Sequence, residues 1–291
     1  MKAIGVTAWS VPRSDLYNTN FKRVVFDEAG QATEGTTSIA MCRGCEHLVL
    51  IGDPYQLPPT VEEAARRMDG DMSMMERLLK SSSVPKVLLL EQYRMHPAIG
   101  DFPSRKFYGG EVISGHSRDK WKSIEKLTSK VAMPNPDIPI VVIDHSFHEQ
   151  KAIGNKTSNI NEVSLIKDLV KDLKAIGWKD IGVLAAYAAQ VEHLTAACTK
   201  CPPSFIGTID KFQGRENEVI IISTVRGNFD CKLGFLQDDR RMNVALTRSR
   251  SLLVVVCNTR TFENHVQTWR PWLQYCRTND LVLDSQLLMF A

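Results

Sequence analysis

Two carboxylates end a short apolar run in VVFDEAGQATE (24–34), where Val24, Val25 and Phe26 read as a strand and Asp27 and Glu28 follow at once. Acids at the C-terminal edge of a parallel sheet suit phosphate chemistry, because backbone amides and helix N-termini leave a crevice for anions there. Asp27 could hold the water shell of Mg2+, and Glu28 could orient or deprotonate an attacking water. The ordinary alternative is a strand that ends in acids at a turn. A second run, LIGDPYQLPPT (50–60), ends a strand in Gly52-Asp53-Pro54 and leaves through Pro58-Pro59. Gly52 and Pro54 force a tight turn and the prolines stiffen its exit. Such a loop can place Gln56, an uncharged donor and acceptor, at a terminal phosphate. A plain turn is again the alternative, and the matching position at a strand end tells against it.

Three more stretches carry guanidinium and hydroxyl groups. In LLLEQYRMHPAI (88–99), Arg94 is a planar fork able to grip a phosphate bidentately, and Tyr93 offers a face to a base. A strand-to-helix junction would read the same way. In GTIDKFQGRENEVIIISTVR (207–226) a polar loop with Gly214 separates two strands. Thr208 and Asp210 could reach a phosphodiester or an interdomain contact, and Glu216 could accept from a sugar hydroxyl. In DDRRMNVALTRSRSLLVVV (238–256), Met242, Ala245 and Leu246 share a helical face, leaving Arg241, Arg248 and Arg250 for other work. An arginine reaching a transferring γ-phosphoryl group is worth about 10³–10⁵ in rate in related NTPases. On a solvated helical face the same residue makes an ion pair worth ~0–1 kcal/mol.

The elements that must position these groups are visible as continuous apolar runs: 23–26, 47–51, 86–90, 138–143, 181–186, 204–209, 218–224 and 251–257. Continuous rather than alternating runs mark strands buried on both faces of a parallel sheet. Between them lie helical stretches such as 161–175, where Val163, Ile166, Leu169, Val170 and Leu173 make one apolar face. The alternation predicts an α/β, doubly wound fold. Residues 115–137 are basic, polar and rich in turn formers, and read as a surface excursion. The 291 residues suffice for one large or two modest domains, and 43% hydrophobic with 24% charged residues excludes a disordered chain. A net charge of +3 allows an anionic partner without requiring one. No apolar run reaches the roughly 18–20 residues that span a bilayer, and the N-terminus lacks a secretory h-region. The seven cysteines read as reduced thiols; a zinc site would have to join Cys42/Cys45 to the distant Cys198/Cys201.

In this order the five stretches resemble the motifs of superfamily 1B helicases, in particular the group with the nonsense-mediated-decay helicase and senataxin. FDEAGQATE is similar to motif II, GDPYQLPP to motif III, QYRMHP to motif IV, IDKFQGRENEVIIISTVR to motif V and RRMNVALTRSR to motif VI. The resemblance covers almost the whole chain. It implies two RecA-like lobes of the P-loop NTPase type, with ATP and Mg2+ in the cleft and single-stranded RNA or DNA across both. By match, Asp27 binds Mg2+, Glu28 is the catalytic base and Gln56 senses the γ-phosphate. Tyr93 stacks on adenine, Arg94 and Arg248 touch the γ-phosphate, Glu216 lies near the ribose, and Asp53 and Gly214 belong to the same nucleotide site. Thr7 in GVTAWS (5–10), Pro59 and Thr208 are the matching candidates for nucleic-acid contact. Family members move 5′→3′ on RNA or DNA, and this chain is expected inside the cell, in cytoplasm or nucleus.

One part of the family pattern is not among these residues. No G-x-x-x-x-G-K-S/T loop occurs, and GNKT (154–157) lacks the earlier glycine and a suitable preceding strand. The resemblance places that loop before Met1, so 1–90 reads as the later half of lobe one and 91–291 as a complete lobe two. ATP hydrolysis by this chain alone is then expected to be weak or absent, with another chain supplying the phosphate cradle. Residues 1–90 are expected to be less stable than 138–291. A non-catalytic module binding nucleic acid or protein through the second lobe is the alternative.

Overall fold

The computed structural model describes residues 3–289 except 14–15, 17–18, 43, 82–83, 118–120, 122 and 153–155. The first two residues of GNKT therefore lie outside the described residues. The chain divides into two compact units, Met1–Leu88 and Leu89–Ala291.

The first unit contains β1 (Arg23–Phe26), α1 (Glu34–Met41), β2 (His47–Leu50), α2 (Glu63–Arg66) and α3 (Met74–Ser81). β1 and β2 pair in parallel, from Arg23 opposite His47 to Phe26 opposite Leu50. α1 begins where the Thr33 hydroxyl accepts the Thr36 N–H, satisfying one of the donors a helix start leaves open. Arg77 of α3 grips Glu34 in the first turn of α1, with Nε donating to Oε2 at 2.9 Å. That hydrogen bond to the Arg77 guanidinium holds the Glu34 carboxyl below its ordinary pKa.

Residues 86–90, expected as a strand, form none. Val87 is 90% exposed, and the ladder begins later, with β3 (Glu91–Gln92). An apolar run makes a strand only where a neighbouring backbone pairs along its length, and here the contact comes at the end of the run, where Leu90 O accepts Ile113 N at 2.7 Å.

The second unit continues with α4 (Pro97–Phe107), β4 (Ile113–Ser114), β5 (Ile140–Asp144), the hairpin β6 (Gln150–Ala152) and β7 (Lys156–Ser158), and α5 (Ile160–Ala175). It then runs through β8 (Ile181–Ala185), α6 (Ala188–Ala197), β9 (Phe205–Thr208), β10 (Asn217–Ser223), α7 (Asp239–Leu246) and β11 (Ser249–Cys257). α8 (Thr259–Glu263), α9 (Trp269–Thr278), β12 (Val282–Asp284) and α10 (Gln286–Met289) complete it. Six strands in the order β12-β5-β11-β10-β8-β9 make one parallel sheet, as the α/β expectation requires. Val163, Ile166, Leu169, Val170 and Leu173 of α5 pack in one core with Val141, Ile143, Val183, Ile221 and Val254 of the sheet. Residues of the other parity, among them Val142, Ile220, Ile222 and Val255, are buried too, which is why the strands read as unbroken apolar runs. The 115–137 stretch does not stay on the surface throughout: Leu127 and Met133 enter the same core. No helix among the described residues is long and apolar enough to cross a membrane.

Candidate nucleotide and nucleic-acid site

In the first unit both sequence-predicted loops leave the C-terminal ends of parallel strands, β1 and β2. They are locked together. Ala29 N donates to Ile51 O at 2.8 Å. A Cβ on Gly52 would lie 2.8 Å from Gly30 N, and one on Gly30 would lie 2.9 Å from Asp53 O, so each glycine is required by close backbone approach. Glu28 turns at φ 52°, ψ 38°. That left-handed conformation costs a non-glycine residue on the order of 1–3 kcal/mol. Hydrogen bonds hold it: Glu28 N donates to Asp27 Oδ1 at 2.9 Å, Gln31 N to Glu28 O at 2.9 Å, and Gln31 Nε2 to Glu28 Oε2 at 2.6 Å. Asp27 and Glu28 remain exposed. Asp53 organises the second loop, accepting Tyr55 N at 2.9 Å through Oδ1 and Gln56 Nε2 at 2.8 Å through Oδ2. The loop therefore presents Gln56 through Asp53. Pro59 is buried in this unit, and the exposed Thr7 shares a hydrogen bond with Ser10 Oγ at 2.6 Å.

In the second unit the structure brings Arg94 and Glu216 together across 122 positions of sequence, Nε to Oε2 at 2.7 Å. α4 makes this possible. It starts with Pro97 at its first turn and the His96 ring accepting Ala98 N, while His96 N donates to Arg250 O at 2.8 Å. That bond sets QYRMHP beside β11. Gln92 braces the turn, its Oε1 accepting Arg94 N at 3.0 Å and Met95 N at 2.9 Å. Arg250, whose partners the sequence did not identify, reaches Asp180 Oδ2 and Glu218 Oε1 at 3.0 Å and Glu216 Oε1 at 3.5 Å. Glu216 thus bridges two guanidinium groups.

Arg248 lies beyond the end of α7, not on a solvated helical face. It is 1% exposed, and its Nη2 donates to Thr247 Oγ1 at 3.0 Å. Arg241 pairs bidentately with Asp210, at 2.9 and 3.0 Å, and lies over the Phe235 ring. Asp210 thus makes a contact within the unit. Thr208, at the end of β9, accepts Lys211 N at 3.3 Å, and Gly214 takes φ 75° in the exposed loop that follows.

Tyr93 is 59% exposed, with its hydroxyl on Glu91 Oε2. That hydrogen bond raises the phenol's pKa. Its ring meets His116 edge-on, with centroids 5.3 Å apart. Gly115 makes the arrangement possible, because a Cβ there would lie 2.3 Å from Tyr93 Cε1. Gly115 and His116 gave no sequence signal, since the contact joins two strands whose pairing is not local. Among the described residues no group of three or more His, Cys, Asp or Glu side chains gathers to hold a metal.

Comparison with known proteins adds relatives. A family described as AAA domain matches residues 70–260, and a second AAA domain matches 3–64. Helicase sen1 of Schizosaccharomyces pombe is 36% identical over 257 residues, covering 84% of this chain and 15% of its own length. Regulator of nonsense transcripts 1 homolog of Neurospora crassa is 32% identical over 286 residues, covering 94% of this chain and 26% of its own. The 5'-3' DNA helicase ZGRF1 of Mus musculus is 32% identical over 289 residues, 95% of this chain and 15% of its own. The chain spans about a quarter or less of these relatives. The solved structure of the PRRSV helicase has 14% identity and a TM-score of 0.45, covering 84% of this chain and 36% of that one.

Proposed function

The chain belongs to the AAA domain family of superfamily 1 helicases, and from that premise we propose that it forms part of an ATP-driven motor moving 5′→3′ on single-stranded nucleic acid. The carrying observation is the locked pair of loops in the first unit, which holds Asp27, Glu28 and Gln56 at the C-terminal ends of two parallel strands. The C-terminal ends of parallel strands are where open α/β sheets bind phosphates, which supports this reading. The name of the Mus musculus relative supports the direction of movement.

The residues fit their proposed roles. Asp27 commits Oδ1 to Glu28 N and is exposed, which suits a hard cation held by one carboxylate and substrate phosphates. Bound Mg2+ would supply charge neutralisation at the phosphate oxygens. Water attacks the γ-phosphorus, the bond from γ-phosphorus to the bridging oxygen breaks, and the water's proton passes to the Glu28 carboxylate. ADP and phosphate leave. Gln31 orients Glu28, and Asp53 orients Gln56. Arg94, by its match to the family motif, is proposed to contact phosphate, with a phosphate oxygen replacing Glu216. Glu216, still held by Arg250 at 3.5 Å, then has its other oxygen available to the ribose, beside the exposed Gly214 loop, and Tyr93 offers its face to adenine.

The 291 residues hold no G-x-x-x-x-G-K-S/T loop. We therefore expect no steady phosphate release from this polypeptide alone, and turnover once a polypeptide bearing that loop joins it. Glu28→Gln should then lower turnover by about 10²–10⁴. Steady release from the pure chain, lost in Glu28→Gln, would overturn the requirement for a second source of the phosphate cradle. A restored rate indifferent to Glu28→Gln would overturn the role of the base. The ion pair of Arg94 with Glu216 favours a second reading, a non-catalytic nucleic-acid- or protein-binding module. On that reading salt-dependent single-strand binding occurs without ATP and is indifferent to it.

A further inference from the structure

Two loops leave β5 and β10 at the C-terminal edge of the parallel sheet and are stitched to each other. A Cβ on Gly227 would lie 2.2 Å from Phe147 O, so the backbones touch where only glycine fits. Glu149 N donates to Gly227 O at 3.0 Å. Glu149 Oε2 accepts Gly227 N at 3.2 Å and Asn228 Nδ2 at 2.9 Å. Beneath them, fully buried Glu162 accepts Ser223 Oγ at 2.6 Å and Val225 N at 3.0 Å, and meets His145 Nε2 at 3.0 Å. His145 Nδ1 accepts Phe147 N at 3.1 Å, so Nε2 carries the proton and donates to Glu162. Val225 is held at φ 69°, a conformation that β-branched residues avoid. The roots of both loops are thus fixed from below.

On this rigid base His148 and Phe229 sit ring against ring, with centroids 4.8 Å apart and planes at 36°. Phe229 is 82% exposed. A phenyl ring held in water by a preorganised loop is a surface prepared for a flat partner. The same edge carries a second aromatic pair, Tyr187 and Phe235, at 5.6 Å, with Arg226 over Tyr187 and Arg241 over Phe235. Aromatic faces interleaved with guanidinium groups are what sequence-tolerant single-strand binding uses.

We propose that His148 and Phe229 form a stacking step for an unpaired base of single-stranded nucleic acid. The inference rests on the helicase reading and adds to it a contact outside the five motifs. The base lies on Phe229, and His148 backs the ring. Lys151 of β6 and Lys232 are exposed beside these loops, paired with Glu149 at 3.8 Å and Asp230 at 3.2 Å, surface pairs that a phosphate can exchange into.

The test is fluorescence anisotropy of labelled oligo-dT and oligo-U with the 291-residue chain across a salt series. Phe229→Ala is expected to weaken binding about five- to a hundredfold, with the salt slope unchanged because no phosphate contact is lost. Phe229→Tyr keeps the ring and is expected to bind like the parent chain. If the parent chain binds neither oligonucleotide, the helicase reading fails and this inference with it. If the parent binds and Phe229→Ala binds equally well, or Phe229→Tyr loses as much as Phe229→Ala, only the stacking step is overturned. A parent chain that elutes as a dimer, and as a monomer after Phe229→Ala, would assign the ring to a second copy and also overturn it.

Discussion

At the scale of single residues, Glu162 shows how a buried charge earns its place. It has no access to water, and its oxygens take hydrogen bonds from Ser223, Val225 and His145. Gln190 closes the ring of contacts, its Nε2 donating to Ser223 Oγ at 2.9 Å and its Oε1 accepting Asn159 N at 2.8 Å. A satisfied network of this kind specifies one arrangement, and a half-satisfied one is costly. Removing the carboxylate would orphan several donors at once, each worth about 1–3 kcal/mol when buried. Glu162→Ala is accordingly expected to lower unfolding free energy by about 3 kcal/mol or more in urea titrations. Glu162→Gln, which retains one acceptor, should cost less. Equal stability of Glu162→Ala and the parent chain would contradict the assignment. Sequence periodicity placed this residue on α5 without any sign of its role, because its partners come from 17 to 63 positions away.

At the scale of elements, the strands and helices that bury apolar side chains on both faces were legible, and their interiors carry a titration that can be measured. Cys257 of β11 and Cys276 of α9 are buried, and burial, ahead of the nearby charges, pushes both thiols well above the ordinary 9.0. Below that value both thiols are protonated in folded and unfolded chains, so their contribution to stability is whole. As pH rises above it, the unfolded chain loses protons that the folded chain keeps, and stability falls. Melting of the second unit is expected to move to lower temperature above about pH 9, less steeply in Cys257→Ala/Cys276→Ala. Native Ellman titration should modify exposed Cys42 quickly and these two only on unfolding. An alkaline limb unchanged in the double variant would exclude them as its cause. What could not be read at this scale is whether an apolar run finds a partner. Residues 86–90 are an apolar run like the core of β10, yet form no strand; at the end of the run Leu90 O accepts Ile113 N at 2.7 Å. Nor was the close approach of Gly30 to Gly52 legible: the sequence marked Gly52 as a turn residue, and the contact joins two loops that are not adjacent in the chain.

At the scale of the whole molecule, the two units differ in what their sheets can bury. In the second, the central residues of β8, β10 and β11 have no exposed surface, and each strand has a neighbour on both sides. In the first, β1 and β2 pair only with each other among the described residues, and Val25, Val49 and Ile51 are exposed. A two-stranded sheet is marginal in water, and each large apolar side chain left wet forgoes about 1.5–3 kcal/mol. The loops that carry Asp27, Glu28 and Gln56 therefore stand on the weaker scaffold, while Arg94 and Glu216 stand on the stronger. Native-state hydrogen exchange should resolve this. Amides of Val24–Phe26 and Leu48–Leu50 are expected to exchange by low-energy local opening, and those of Val183, Ile221 and Val254 only through global unfolding of their unit. Mg·ATP with a polypeptide supplying the phosphate cradle should slow exchange in the first group selectively, since a ligand stabilises what it binds. Uniform protection across both groups, before and after addition, would contradict both the stability difference and the placement of the phosphate site on β1 and β2.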